Sequence, residues 1–390
     1  MLHFPIYLDY NATTPCDPQV VEAMLPYFTT QFGNAASRQH ALGWQAEEAV
    51  DYARKQVAAL IGADVTEIVF TSGATESNNL ALKGLAEMYA AKGNHIITCV
   101  TEHKAVLDAC KHLEKQGVLV TYLPVDREGF ISLEQLEAAI TPQTILIAIM
   151  YANNETGVIQ PVEEIGRIAK QHGVIFFSDA TQAVGKIPVN VLADGIDLMS
   201  FSAHKLYGPK GVGALYIRRK NPRVRITAQI DGGGHERGAR SGTLNVPGIV
   251  GLGKAAELCR LHLQAEGGRL SQLRDQLEQG LLLLEGVQVN GGADNRLPHV
   301  SNLAFPNVDG NALMLGFNKN IAVATGSACT SASMEPSFVL KALGLPDDLA
   351  RSSLRFSLGR FTTVAEIEYT IQRVSETVRS LRALDPFSAS

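Results

Sequence analysis

Lys205 is the residue of this chain whose surroundings most invite chemistry. It stands in Phe201-Ser202-Ala203-His204-Lys205-Leu206-Tyr207-Gly208-Pro209-Lys210-Gly211. The apolar run Ile196-Asp197-Leu198-Met199-Ser200-Phe201 leads into it and reads as a buried strand, and a Gly-Pro turn closes the segment. A lysine at a strand end, beside hydroxyl and imidazole donors, suits a Schiff base to pyridoxal phosphate. Taken alone, a lysine near a turn is more often a solvated surface group. A second strand, Val174-Ile175-Phe176-Phe177-Ser178-Asp179, changes that balance, because it ends in the carboxylate that a protonated pyridine nitrogen needs.

Three further segments fit the same chemistry, each with a plainer alternative. Phe70-Thr71-Ser72-Gly73-Ala74-Thr75-Glu76-Ser77-Asn78 reads as a strand, a tight turn at glycine and a helix beginning near Ser77. Such a helix start offers free N–H groups and a positive dipole end to a phosphate, or it is ordinary N-capping by Ser or Thr. His103, in Thr101-Glu102-His103-Lys104, could stack on a cofactor ring and exchange protons near neutral pH, or be a satisfied loop histidine. Tyr151-Ala152-Asn153-Asn154-Glu155-Thr156-Gly157 puts two amides after an apolar strand, where Asn154 could touch cofactor or substrate, or either amide could build the turn.

The elements that must position these residues follow from the apolar pattern. Strands are predicted over 67–70, 95–100, 118–123, 145–151, 174–179, 196–202 and 212–217, with helices between several of them, as over 77–92 and 161–171. Near-continuous apolar strands with helical crossovers imply a mostly parallel sheet covered on both faces, with ligands beyond the strands' carboxyl ends. A long helix over roughly 246–284 leads out. The remainder mixes strands (299–305, 354–357) with helices (336–342, 364–384), as an α+β unit does. The fold expected is therefore α/β, a large domain over 12–262 and a smaller one from 1–11 with 263–390.

With 390 residues, 46% of them hydrophobic, the chain can bury a large core. A net charge of -5 with both signs interspersed argues against a nucleic-acid partner, and no apolar stretch reaches membrane-spanning length. Met1-Leu2-His3-Phe4-Pro5 carries no signal-like pattern, so a cytoplasmic protein is expected. The five cysteines are scattered, which suggests neither a zinc site nor a disulfide framework. Cys99, Cys110 and Cys259 read as core or helix thiols. Cys329 differs, because Ala324-Thr325-Gly326-Ser327-Ala328-Cys329-Thr330-Ser331-Ala332-Ser333 is small, polar and predicted to be mobile; by itself this is a loop with an incidental cysteine.

These residues carry a resemblance. Tyr7-Leu8-Asp9-Tyr10-Asn11-Ala12-Thr13-Thr14, Thr71-Ser72-Gly73-Ala74-Thr75-Glu76, Asn153-Asn154-Glu155-Thr156-Gly157, Ser178-Asp179-Ala180-Thr181-Gln182 and Ser202-Ala203-His204-Lys205 resemble cysteine desulfurases of the NifS/IscS type. So do Gly232-Gly233-Gly234-His235-Glu236-Arg237-Gly238 with Arg240-Ser241-Gly242-Thr243, Gly326-Ser327-Ala328-Cys329-Thr330-Ser331 and Leu354-Arg355-Phe356-Ser357-Leu358-Gly359-Arg360. The resemblance spans nearly the whole chain in order. It implies the aspartate-aminotransferase-like fold, a homodimer, and conversion of L-cysteine to L-alanine with sulfur passed on as a persulfide.

Residue by residue, the resemblance implies that Lys205 bonds the cofactor and Asp179 pairs with its ring nitrogen. Gln182 and Asn154 would lie at the cofactor's phenolic oxygen, with Asn154 also near the substrate. Ala74, Thr75, Ser202 and His204 would hold the phosphate, with Thr243 supplied across the dimer. His103 would stack and carry protons, Arg355 would grip the substrate carboxylate, and Cys329 would be the nucleophile. No metal of the enzyme's own is implied, with Cys329 able to ligate an Fe–S cluster shared with a scaffold partner. Acceptors would be an Fe–S scaffold protein or sulfur-carrier proteins, serving Fe–S assembly or tRNA thiolation.

Three departures are visible. Thr325 opens the cysteine signature where serine is expected, Ala35 follows Asn34 where proline is expected, and the chain stops at Ser390 where longer relatives carry a scaffold-docking tail. The rival readings are an aminotransferase, which has no use for a reactive loop cysteine; a selenocysteine lyase; and an adaptor that keeps the fold without turnover.

Overall fold

The computed structural model describes residues 2–325 and 335–384. In chain order its strands are β1 (Ile6–Tyr7), β2 (Ile68–Thr71), β3 (His95–Cys99), β4 (Leu119–Leu123), β5 (Thr144–Ala148), β6 (Ile175–Asp179), β7 (Leu198–Ser202), β8 (Gly213–Ile217), β9 (Gln288–Val289), β10 (Val300–Ala304), β11 (Ile321–Ala322) and β12 (Ser353–Ser357). Seven of them form one sheet in the order β2-β8-β7-β6-β5-β3-β4. Its pairs are parallel from β7 through to β4, and only β8 runs antiparallel to its neighbours β2 and β7. The mostly parallel sheet expected from the sequence is thus present.

Successive side chains of a strand point to opposite faces, and here both faces are buried. Phe70, Ile147 and Phe176 enter one core with the helices Ala41–Ile61 and Val162–His172. Val69, Leu146 and Phe177 enter the other, with Ala74–Met88 and Lys104–Glu114. A third core lies around the antiparallel sheet β12-β10-β9, packed by Gly310–Phe317 and Val364–Leu384. The parallel pair β1–β11 belongs to it through Ile6 and Ile321.

The helix Val246–Leu281 joins these cores. At 1.5 Å per residue its 36 residues extend about 54 Å. Ile249, Leu252 and Cys259 pack in the first core, and Leu270, Leu277 and Leu281 in the third. It closes against Ala41–Ile61 through Gly253, where an added Cβ would come within 2.5 Å of the Ala53 Cα.

Element edges moved by a few residues. The phosphate-loop helix begins at Ala74 rather than near Ser77, because Gly73, at φ 152°, already serves as its N-cap. The long helix ends at Leu281, three residues before the predicted end. The helix Ala41–Ile61 carries standard signals that the sequence reading passed over: His40 caps its start and a left-handed Gly62 ends it. Cys99, Cys110 and Cys259 are buried free thiols. Among the described residues no helix is long and apolar enough to cross a membrane.

Gly253→Val should destabilise the fold by about 1–3 kcal/mol, since backbone rather than a flexible side chain blocks the new atoms. The urea midpoint of the variant checks this, and an unchanged midpoint would show that the two helices can separate without cost.

Candidate active site

A cleft of about 490 Å³ lies beyond the carboxyl ends of β2, β6 and β7. Ala74, Thr75, His103, Asn154, Asp179, Gln182, Ser202, His204, Lys205 and Arg355 all line it. The segments named from the sequence, spread over nearly 300 residues, therefore converge on one space. Two predicted residues stand apart. Thr243 is exposed and does not line the cleft of its own chain. Cys329 lies outside the described residues.

One wall is the start of the helix Ala74–Met88. Ser72, Gly73, Ala74 and Thr75 border the cleft, and the first amides of a helix have no carbonyl partner within it. The turn is pinned from behind: Thr71 Oγ1 lies 2.8 Å from Ser77 Oγ, and the Ser72 amide donates to Glu76 Oε2 at 2.8 Å. Glu76 is in turn fixed by Arg240 at 2.7 Å. A Cβ on Gly73 would sit 3.6 Å from Ser202 Oγ, so the hydroxyl at the end of β7 faces the same turn. His204 completes this wall, with Nδ1 3.1 Å from Thr13 Oγ1. Helix-start amides, hydroxyls and an imidazole around one small space are the donors that could hold a phosphate.

The second wall is acidic and buried. Asp179 ends β6 and is 5% exposed; its Oδ1 accepts from the Thr181 amide at 3.0 Å and its Oδ2 from Asn78 Nδ2 at 2.7 Å. Asn78 Oδ1 accepts in turn from Ser200 on β7. The Asn78 amide was not singled out from the sequence, because an asparagine inside a helix looks like surface polarity until the strand beneath it is known. Lys205 follows β7 on a short helical turn, and its Nζ donates to the carbonyls of Asn11 and Ala12.

The third wall comes from the N-terminal segment and from β12. Asn11 Nδ2 donates to the Asn154 carbonyl at 3.0 Å, and Gln182 Nε2 donates to the Asn11 carbonyl at 3.1 Å. Arg355 Nη1 reaches the same Asn154 carbonyl at 2.8 Å, while its Nη2 meets Asp9 at 2.7 Å. The two amides after β5 divide their work. Asn153 builds the turn, its Oδ1 accepting from the Glu155 and Thr156 amides, whereas Asn154 lines the cleft. Asn11 and Asp9 also escaped the sequence reading as site components, since only the fold brings residues 9–14 against β12 and the lysine turn.

Burial sets the charges. It lowers the His103 pKa, with Asp179 opposing and Lys205 adding to the shift. Its Nδ1 accepts from the Ala105 amide at 3.1 Å, so the neutral ring carries its proton on Nε2. Burial, aided by Lys205 and Lys210, brings His204 down to about 4. The Glu102 carboxyl is held well above the usual carboxylate range, chiefly by burial. Both imidazoles are therefore neutral around pH 7, and burial disfavours the charged form of Glu102.

This donor set fits pyridoxal phosphate: a cradle for a dianion, a carboxylate for a ring nitrogen and an amine for an aldehyde. Two residues that line the cleft carry a buried polar atom with no partner among the described residues, Thr181 Oγ1 and Arg355 Nε.

The aminotransferase class-V family model matches residues 6–370. The chain is 59% identical over 386 residues to the cysteine desulfurase IscS of Anaeromyxobacter dehalogenans (strain 2CP-C), covering 99% of this chain and 95% of that one. Its fold is similar to the solved structure of a NifS-like protein, with a TM-score of 0.90 and 39% identity over 97% of this chain and 100% of the other. It is also similar to SspA in complex with cysteine, with a TM-score of 0.81 and 39% identity over 92% of this chain and 100% of the other.

His204 supplies a pH test. A histidine whose folded pKa lies below its unfolded value near 6.5 contributes stability that is present above 6.5 and lost as pH falls toward about 4. His204→Gln should therefore flatten the stability profile between those limits in the cofactor-free protein. Urea midpoints for both proteins across this range check it; parallel profiles would mean the imidazole is not held neutral.

Proposed function

The chain belongs to the aminotransferase class-V family, among its NifS/IscS-type cysteine desulfurases, and from that premise we propose that it converts L-cysteine to L-alanine and passes the sulfur on through Cys329. The observation that carries this reading is the meeting of the Lys205 amine, the Asp179 carboxylate and the Arg355 guanidinium in one cleft. These groups serve an amino-acid substrate and a pyridine ring, and the helix start beside them serves a phosphate.

Pyridoxal phosphate, when bound, supplies an electron sink for the charge left at the substrate α-carbon. The protein's own residues do the rest. The amides of Ala74 and Thr75, with Ser202 and His204, hold the phosphate, and Thr243 of a second protomer completes that grip in a homodimer. Asp179 keeps a proton on the ring nitrogen, steadied by Asn78 and the Thr181 amide. Gln182 and Asn154 would hold the phenolic oxygen. Lys205 would hold the cofactor at its aldehyde and would move the α-proton, its amine steered by the carbonyls of Asn11 and Ala12. His103 would stack on the ring and handle protons, with its resting Nε2–H as donor.

Arg355 receives the substrate carboxylate, for which a planar fork is the suited shape. The Cys329 thiolate takes the sulfur. In balance, L-cysteine and the Cys329 thiol give L-alanine and a Cys329 persulfide, whose outer sulfur a second protein accepts. An Fe–S scaffold protein or a sulfur carrier fits that role, as the name IscS of the relatives suggests.

Cys329→Ala should keep the bound cofactor's absorbance yet lose at least about 100-fold in alanine and sulfide formation from L-cysteine with added thiol. Lys205→Ala should lose α-proton exchange to a similar degree. Normal turnover in the first variant sinks the persulfide route, and activity that requires a keto acid shifts the reading to transamination.

A further inference from the structure

Arg355 is 1% exposed, and its guanidinium is already engaged on two sides. Nη1 donates to the Asn154 carbonyl and Nη2 to Asp9 Oδ1, while Nε has no partner among the described residues. The Asp9 side chain is 18% exposed and stands behind the guanidinium, outside the lining of the cleft. Backbone pairing sets this contact. Asp9 bridges Ser357 in parallel, two residues along β12 from Arg355, and Ala324 bridges Arg355 itself. The Asp9 carbonyl is tied down as well, accepting from the Ala12 amide at 3.0 Å.

We infer that Asp9 is a positioning residue that sets the affinity of the carboxylate subsite: it is the resting counter-ion of Arg355, and a substrate carboxylate binds in competition with its charge. This rests on the reading that Arg355 receives the carboxylate. A guanidinium this deeply buried is costly without a negative partner, and Asp9 supplies one before substrate arrives. Arginine has five N–H donors in a fixed fork, so Nε and the second hydrogens of the Nη atoms remain for a second anion. The two anions then repel each other across one cation. That repulsion holds down affinity for any α-carboxylate, and L-alanine, which carries the same carboxylate as L-cysteine, leaves more readily.

The test uses the holoenzyme and two amines that differ only in the group meant for Arg355, L-alanine and L-alaninamide. Binding is read from the change in cofactor absorbance. Asp9→Asn keeps an acceptor for Nη2 but removes the charge. The expected result is a Kd for L-alanine lower by about 3- to 10-fold, with L-alaninamide within about twofold of wild type. Equal shifts for both ligands, or an unchanged or weaker L-alanine constant, overturn the inference. Asp9→Ser, neutral and smaller, carries the same expectation should Asp9→Asn fail to fold. Arg355→Gln separates this inference from the reading beneath it. Lost L-alanine binding there, with no response in the Asp9 variants, sinks the role of Asp9 alone; unchanged L-alanine binding in Arg355→Gln sinks both.

Discussion

The amide of Asn78 is the contact on which the geometry of this cleft turns. It sits one turn inside the helix Ala74–Met88, donates to Asp179 on β6 and accepts from Ser200 on β7. Those two strands are paired with Asp179 opposite Ser200, so a single side chain bridges one rung of the ladder. The helix start is thereby held at a fixed height over the strand ends. The distance between that helix start and the Asp179 carboxylate is therefore set by a buried hydrogen-bonded network rather than by loop conformation. Such networks rigidify when every member is satisfied, and here the Asp179 carboxylate has a donor on each oxygen.

Electrostatic economy follows from the same burial. The Lys205 amine, the Asp179 carboxylate and the Arg355 guanidinium line the cleft, with Asp9 paired behind the last, while burial disfavours charge on His103, His204 and Glu102. The upward shift of Glu102 matters most, because a second carboxylate charge there would oppose that of Asp179.

Much of this was legible in the sequence. The apolar runs before Asp179 and Lys205 announced buried strands, and their polar ends fell at the carboxyl edge where parallel sheets bind ligands. Motif order then named the residues lining the cleft. What escaped notice depends on register between distant segments. Asn78 has no local mark of its function, since its two partners lie 101 and 122 residues away. Asp9 and Asn11 gain theirs only when residues 9–14 dock on β12. The helix start moved from Ser77 to Ala74 because a glycine with φ 152° can cap a helix that side-chain patterns place later.

The helix Val246–Leu281 has a consequence for how the molecule comes apart. Its first half is covered by the core that also buries Val57 and Phe70, and its second half by the core of Leu303 and Phe356. Most helical stability in water comes from tertiary packing of this kind. Melting either core would strip one half of the helix of its cover and hand the fraying to the other. The two cores are therefore coupled through a continuous ladder of main-chain hydrogen bonds, so that loss of one weakens the other.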